Sequence, residues 1–262
     1  MLVFPQLSTG ACALYPVTRR TVMRSVVNVL GDGRIDVFED PSAAYSGWEL
    51  RASGLTLVEW TAIETLFQQT SGKWGAFTFL DPTGNLLAQS ETFGTSVWTN
   101  GPLIQLTPGV ADPLGTNRAT GATNTGQTDV AIAQILNVPG NFEYCLSVWA
   151  QSAASSRVTL QVGSITKSFA LTGQWQRVFV AGNPGQTGAT TVTFGAHLDA
   201  GGSVQLFGMQ AEAQPGPSDY KQTGTRAGVY SQARFDTDQL MATAQGTDVY
   251  DAVIPIVNTA GL

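Results

Sequence analysis

Gly54-Leu55-Thr56-Leu57-Val58-Glu59-Trp60 is a complete helix start in a chain that otherwise reads as strands. Thr56 stands where an N-cap belongs, and Glu59 follows three residues later, the spacing of a capping box. Leu55 and Trp60 occupy the two staple positions that flank such a start. Trp60, Ile63 and Phe67, with Leu66 beside them, form one apolar stripe at helical spacing, and Gly72 supplies a stop. A helix is therefore predicted over residues 57–70, its stripe packed on a sheet.

Working outward, residues 21–29 and 34–38 read as strands joined at the hairpin turn Gly31-Asp32-Gly33, and Trp48-Glu49-Leu50-Arg51 as a short strand. After the helix, residues 75–80 read as a strand that stops at the turn Asp81-Pro82-Thr83-Gly84. From residue 85 the helical period disappears. Short β-rich runs recur between Gly, Pro, Asn and Thr, the strongest at 130–138, 142–151, 157–163, 174–181, 190–198 and 203–212. Strands this closely punctuated imply a sandwich or jelly roll. Gln214-Pro215-Gly216-Pro217 marks a rigid boundary, and Val229–Phe235 and Val249–Val257 read as two late strands. That last stretch holds too few apolar residues for a core of its own, so it must pack elsewhere, with the opening segment as the natural partner.

The expected fold is mainly β. A discontinuous hub domain, residues 1–84 with 224–262, is a split β-barrel or sandwich carrying one α-helix. Residues 85–223 are an inserted antiparallel β-sandwich of the jelly-roll kind.

Composition bounds the function. The formal net charge is −6, and each of the three segments (1–84, 85–223 and 224–262) carries two more acidic than basic residues. No segment is a basic nucleic-acid footprint, and sequence-specific nucleic-acid binding is not expected. Charged residues make up 12% of the chain, against about 25% in an average soluble domain. So few charges suit either a surface covered by neighbouring subunits or a neutral β-protein coated in Thr, Ser and Gln. Cys12 and Cys145 stand in apolar stretches without metal spacing and are expected to be buried free thiols. No apolar run approaches bilayer length, and Met1-Leu2-Val3-Phe4-Pro5 lacks the basic region and long apolar core of a signal peptide. Membrane insertion is not expected; assembly in a cytoplasm, with export only as part of a particle, is.

The two ends of the chain resemble the distal tail family of phages and gene transfer agents. The resemblance rests on Phe4-Pro5, Arg19-Arg20, Gly31-Asp32-Gly33, Trp48-Glu49-Leu50 and Gly54-Leu55-Thr56. It continues through Phe67, Phe77-Thr78-Phe79-Leu80-Asp81-Pro82 and Arg234-Phe235-Asp236-Thr237-Asp238-Gln239-Leu240. The middle block resembles the carbohydrate-binding-module-like sandwiches common in phage tail proteins. Those residues are Asn85-Leu86-Leu87, Ser90-Glu91, Phe93, Trp98 and the run Gly173 to Val178, closing with Phe207-Gly208-Met209-Gln210-Ala211-Glu212, Pro217 to Tyr220 and Thr223. The resemblance implies a virion structural protein of the tail tip, or baseplate. It implies a ring, usually of six copies, joining the tail tube protein to the tip hub proteins, with a sandwich that adheres to host-surface glycan. The alternative is a tail-fibre or receptor-binding carbohydrate-binding protein outside any ring.

Alternation places the candidate ligand residues. In 142–151, Phe142, Tyr144, Leu146 and Val148 share a core side, while Glu143, Cys145, Ser147, Trp149 and Gln151 share the other. In 191–198, Val192, Phe194, Ala196 and Leu198 point inward and His197 outward. Trp149, Gln151 and His197 are therefore the carbohydrate-binding candidates, a flat ring with polar partners. The plainer reading is a Trp packed under a loop and an ordinary surface His. Trp98 and Trp175 read as core. Arg19, Arg20 and Arg24 are candidates for an acidic partner interface or a solvated patch. Catalysis is not expected: His197 is the only histidine, no nucleophile elbow or phosphate loop appears, and zinc ligands are lacking. Paired carboxylates such as Asp236 and Asp238 suit a turn or interface better than glycoside hydrolysis. Neither a metal nor another cofactor is expected.

Overall fold

The helix start forms as its spacing predicts. In the computed structural model, which describes residues 1–40, 43–154 and 156–259, helix α1 spans Leu57–Gln69 with Thr56 as its N-cap. Glu59 N–H donates to Thr56 Oγ1 (3.3 Å), and Glu59 Oε2 accepts from Thr56 N–H (2.8 Å). Its other oxygen accepts the N–H and hydroxyl of Ser8 (2.8 and 2.7 Å), so the capping box also anchors the N-terminal segment. Ser71 and Gly72 both adopt positive φ, which ends the helix. Adding a Cβ to Gly72 would place it 2.8 Å from Asp238 Oδ1.

Glu59 yields a pH prediction. Burial by itself would raise its pKa, but the N–H and hydroxyl groups of Thr56 and Ser8 hold it down at about 2, from 4.5. A depressed carboxylate contributes stability above its unfolded pKa and loses it as pH falls through the folded one. Wild type should therefore exceed Glu59→Gln by about 1 kcal/mol at neutral pH, a capping-sized effect reduced by the exposure of this side chain. The difference should vanish between pH 4.5 and about 2, read from denaturant melts across that range. A gap unchanged on acidification would contradict it.

The strands, in chain order, are β1 (Val17–Val22), β2 (Ser25–Val29), β3 (Ile35–Glu39), β4 (Tyr45–Thr56), β5 (Phe77–Leu80), β6 (Thr99–Asn100), β7 (Ile104–Val110), β8 (Ala119–Asn124) and β9 (Val130–Leu136). They continue with β10 (Tyr144–Gln151), β11 (Arg157–Val162), β12 (Ile165–Ala170), β13 (Gln176–Gly182), β14 (Val192–Leu198), β15 (Ser203–Glu212), β16 (Val229–Phe235), β17 (Ala242–Gly246) and β18 (Val249–Asn258). Among the described residues the protein is mainly β with one α-helix, as expected.

Two compact units share the chain. One consists of Met1–Ser8, Cys12–Phe79 and Tyr230–Leu262; the other of Thr9–Ala11 and Leu80–Val229. The division falls at 79/80 and 229/230, not at 84/85 and 223/224. The reason is a ladder inside the second unit: Asp81 N–H donates to Gly228 O (2.8 Å), and Gly228 N–H to Asn85 O (2.7 Å).

In the first unit a six-stranded sheet runs β1-β4-β18-β16-β5, with β17 on β18. Its central pairing, β4 with β18, is antiparallel and joins residues near the two ends of the chain, from Thr56 opposite Val249 to Ser46 opposite Asn258. The core draws on both ends: Phe4, Trp48, Leu50, Ile63, Leu66, Phe77 and Phe79 pack with Ala233, Phe235, Ile254 and Ile256. The run predicted as one strand over 21–29 is broken at Met23-Arg24. Arg24 ion-pairs with Asp40 there, and β2 and β3 form a separate two-stranded ribbon.

The second unit has two five-stranded sheets, β13-β10-β15-β8-β7 and β12-β11-β14-β9-β6, in which every pair is antiparallel. The core holds Tyr144, Leu146, Val148, Val158, Leu160, Phe194, Ala196 and Leu206, all fully buried. Asn85 ties the start of this unit to its end. Its Oδ1 accepts from Leu87 and Ala211 N–H (both 3.0 Å), and its Nδ2 donates to Met209 O (3.0 Å) and Lys221 O (3.3 Å). A buried amide so fully satisfied is a clamp. Cys12 and Cys145 are buried free thiols, each pushed up to about 12 by burial, with Glu212 adding to the effect on Cys145.

Candidate functional site

The outward face of the β13-β10-β15-β8-β7 sheet carries the polar and aromatic groups that can meet a ligand. Strand alternation puts them there. Along β10, Ser147, Trp149 and Gln151 point away from the core. The antiparallel register sets Phe179 opposite Ser147 and Arg177 opposite Trp149, and one step further brings Trp175 beside Gln151. On the other side of β10, Gln205 faces Gln151 and Phe207 faces Trp149. Gly121 lies opposite Gln205 on β8, which leaves that part of the face flat.

Polar bonds hold the group in place. The Gln151 amide oxygen accepts from Trp175 Nε1 and its nitrogen donates to Gly173 O, both at 3.2 Å, an orientation assigned from the network. The Gln205 amide lies 2.5 Å from it. Arg177 Nη2 donates to Ser147 Oγ (3.1 Å). Trp149, Trp175 and Arg177 are half-buried, and Phe179 is 40% exposed. Two partly open indole rings with amides beside them match what a pyranose requires: a flat apolar surface for the ring and donors and acceptors for its hydroxyls.

At its other end the same face is covered. Tyr220 packs on Phe207 with ring centroids 5.4 Å apart, and Gly208, at φ +63°, leaves room for the Tyr220 ring, 2.9 Å from where a Cβ would stand. Gln210 donates to Asp219 O (3.2 Å), and Glu212 accepts from Lys221 Nζ (2.9 Å). The closing segment thus explains why Cys145 and Ser147, outward by alternation, are fully buried. Glu91 accepts from Tyr220 Oη (2.9 Å), Gln222 Nε2 (3.0 Å) and Arg118 Nη1 (3.2 Å), so Arg118 is occupied internally.

The structure brings Trp149 and Gln151 together and leaves His197 out. His197 lies on β14, on the outward face of the opposite sheet, where Nε2 is 2.7 Å from Gln161 Oε1 and Nδ1 is 3.5 Å from Asp129 Oδ2. The three-residue site is therefore corrected: one strand pattern cannot say which sheet the other strand joins. Trp98 is core, 4% exposed, with Nε1 donating to Gln89 O (3.0 Å). Trp175 is not core; it is half-buried on the outward face beside Gln151. Its signal was present, since Trp175, Arg177 and Phe179 alternate with the buried Val178 and Val180.

The arginine cluster also resolves differently. Arg19 lies over the Trp48 ring (5.7 Å) and donates to Tyr230 Oη (3.2 Å). Arg20 pairs with Asp236 (2.6 Å), and Arg24 with Asp40. These cations are engaged by their own unit as exposed ion pairs, the arrangement of a solvated patch. Asp236 lies past the end of β16 in contact with Arg20, and Asp238 accepts from Lys73 N–H (3.1 Å); both serve the turn. Among the described residues, no group of three or more His, Cys, Asp and Glu is placed to hold a metal, and no helix is long and apolar enough to cross a membrane.

No protein-family model matches the chain, and no curated protein matches it. Solved structures to which it is similar include the enzymatically active domain of bacteriophage CBA120 tailspike protein 4, at 13% identity over 51% of this chain and TM-score 0.39. That match spans 22% of the tailspike chain. Another is the C-terminal family 22 carbohydrate-binding module of a Clostridium thermocellum xylanase, at 14% identity over 51% of this chain and 95% of that one, TM-score 0.40. A third is a xylan-binding domain from Paenibacillus barcinonensis, at 15% identity over 53% and 99%, TM-score 0.40.

Proposed function

We propose that this chain is a non-enzymatic structural protein of a phage-type tail tip. The first unit associates with copies of itself into a ring, six in number, between tail tube and tip hub. The second unit adheres to glycan through the Trp149 face. On this reading the protein works in the virion and is assembled in the host cytoplasm.

The observation that carries the assembly is the β2–β3 ribbon. Val26, Val27, Val29, Ile35, Val37 and Phe38 are between 43% and 70% exposed on it. An isolated two-stranded ribbon is marginal in water, and a contiguous exposed apolar surface of this kind marks an interaction site. A head-to-tail contact repeated by rotation closes into a ring. The low charge content of the chain points the same way.

Two measurements test the reading. The mass of the purified full chain in solution should be that of a closed oligomer; a monodisperse monomer at about 100 μM, well above the Kd of a stable interface, would remove the ring. On a glycan array the protein should bind, and Trp149→Ala should weaken binding by about 30-fold, the loss of about 2 kcal/mol expected for a central aromatic anchor. An array without hits would remove the adhesion. The second reading, a receptor-binding protein outside any ring, is favoured by the tryptophan face taken alone. It predicts monomers or trimers with the same Trp149 dependence.

A further inference from the structure

We infer that the ligand of the Trp149 face is an acidic glycan, a sugar chain bearing carboxylates, and that Arg177 reads the carboxylate. This rests on the glycan-binding reading above and adds the class of sugar.

The argument is the state of the cations around the face. The chain is net acidic; within this unit Arg118 is answered by Glu91 (3.2 Å) and Lys221 by Glu212 (2.9 Å), while Arg157 and Arg226, away from the Trp149 strand pair, form no ion pair among the described residues. Arg177 and Lys167 have no carboxylate within 4 Å among the described residues. Arg177 makes one hydrogen bond, to Ser147, and its Nε is shut off from solvent without an acceptor. The buried Nε fixes the guanidinium in place without a carboxylate, and the remaining N–H donors of its Nη groups are left for an incoming acceptor. Lys167 Nζ lies over the rings of Phe169 (5.2 Å) and Phe179 (5.5 Å), which brings a second unpaired cation to the edge of the same face. Glu212 is neutralised by Lys221, so the nearest buried carboxylate at the covered end does not answer Arg177.

The chemistry follows from placement. Arg177 is the cross-strand neighbour of Trp149 and stands between Trp175 and Phe179 along β13. A pyranose stacked on an indole there would direct a ring carboxylate at the guanidinium, whose planar fork matches a carboxylate better than an ammonium does. The Gln151 and Gln205 amides remain for neutral hydroxyls.

The experiment uses the full chain and oligosaccharides equal in shape and different in charge. The probes are oligogalacturonate and its methyl ester, sialylated glycans and their asialo forms, and a sulfated oligosaccharide, titrated against wild type, Arg177→Gln, Arg177→Lys and Lys167→Gln. The acidic members should bind at least about 10-fold more tightly than their neutral partners, the worth of one charge-assisted hydrogen bond. Arg177→Gln should erase that preference, Arg177→Lys should restore part of it, and Lys167→Gln should lower affinity by about 2- to 3-fold, a surface-charge effect. Equal, Trp149-dependent binding of neutral and acidic partners would overturn the inference and leave glycan binding standing. A sulfated probe that binds as well as the carboxylates would show charge attraction alone and also overturn it. If no probe binds, the glycan reading itself fails. Should Arg177→Gln lower the melting temperature sharply, the ester pair on wild type and Lys167→Gln still decide.

Discussion

With Val27, Val29, Ile35 and Val37 all replaced by Thr, the protein is expected to sediment as a folded monomer while wild type sediments as a closed ring. These four positions form two cross-strand pairs, Val27 with Val37 and Val29 with Ile35. All four are more than half exposed, and none belongs to the core of the first unit. Threonine keeps the β-branch and hence the strand preference, so the ribbon itself should survive. What is lost is apolar area at the contact. Exchanging a methyl for a hydroxyl at each of four contact positions costs about 1 kcal/mol apiece, about 4 kcal/mol per interface, roughly a thousandfold in dissociation constant. Circular dichroism should match wild type, and at concentrations low enough for wild type to be monomeric the melts should agree within about 0.5 kcal/mol, as for surface changes. A variant that still assembles at the wild-type concentration would show that the ring, if formed, is made elsewhere.

The second large effect is expected at Phe235. This ring is fully buried, 5.2 Å from Phe67 and 4.9 Å from Phe77, centroid to centroid. It comes from the C-terminal stretch, yet its neighbours come from the helix and the strand after it. Phe235→Ala should cost about 3–5 kcal/mol through lost burial and the cavity left behind. A domain with about 5–15 kcal/mol in all would lose about a fifth of its stability or more. The melting transition of the first unit should fall by about 15 °C or more, while Tyr144 and Phe194 in the second unit should keep their native environment. The readout is hydrogen exchange resolved by peptide, which separates the two units. If protection in β4 and α1 is unchanged, the two ends of the chain do not depend on each other energetically.

Both predictions start from features visible along the chain, but not equally. The capping box at Thr56 and Glu59, the stop at Gly72 and the hairpin turn at Gly31 to Gly33 were readable because each is a local arrangement of a few residues. So were β15 and β16, read at 203–212 and 229–235 and found at those bounds. Others were hidden for stated reasons. β7 contains Pro108 and Gly109, which argue against a strand yet are tolerated at a sheet edge. β12 and β17 are too polar to announce themselves, and β1 gains its place only by pairing with β4. The Trp149 face was half visible: Trp149 and Gln151 by alternation on β10, and Trp175, Arg177 and Phe179 by alternation along the next run, but not that these two runs are neighbours, since the pairing of β10 with β13 is not written in either strand.

By itself the sequence determined the periods: where the helix begins and ends, which stretches are strands, and which side chains of a strand share a side. Those follow from backbone geometry over a few residues. The tertiary structure decided everything that depends on which strand lies next to which. It placed β18 beside β4 across nearly the whole chain, put His197 and Trp149 on different sheets, and engaged Arg20 and Arg24 with Asp236 and Asp40. Strand partners are chosen by the total burial and hydrogen bonding of the finished sheet, and no local window of residues contains that sum.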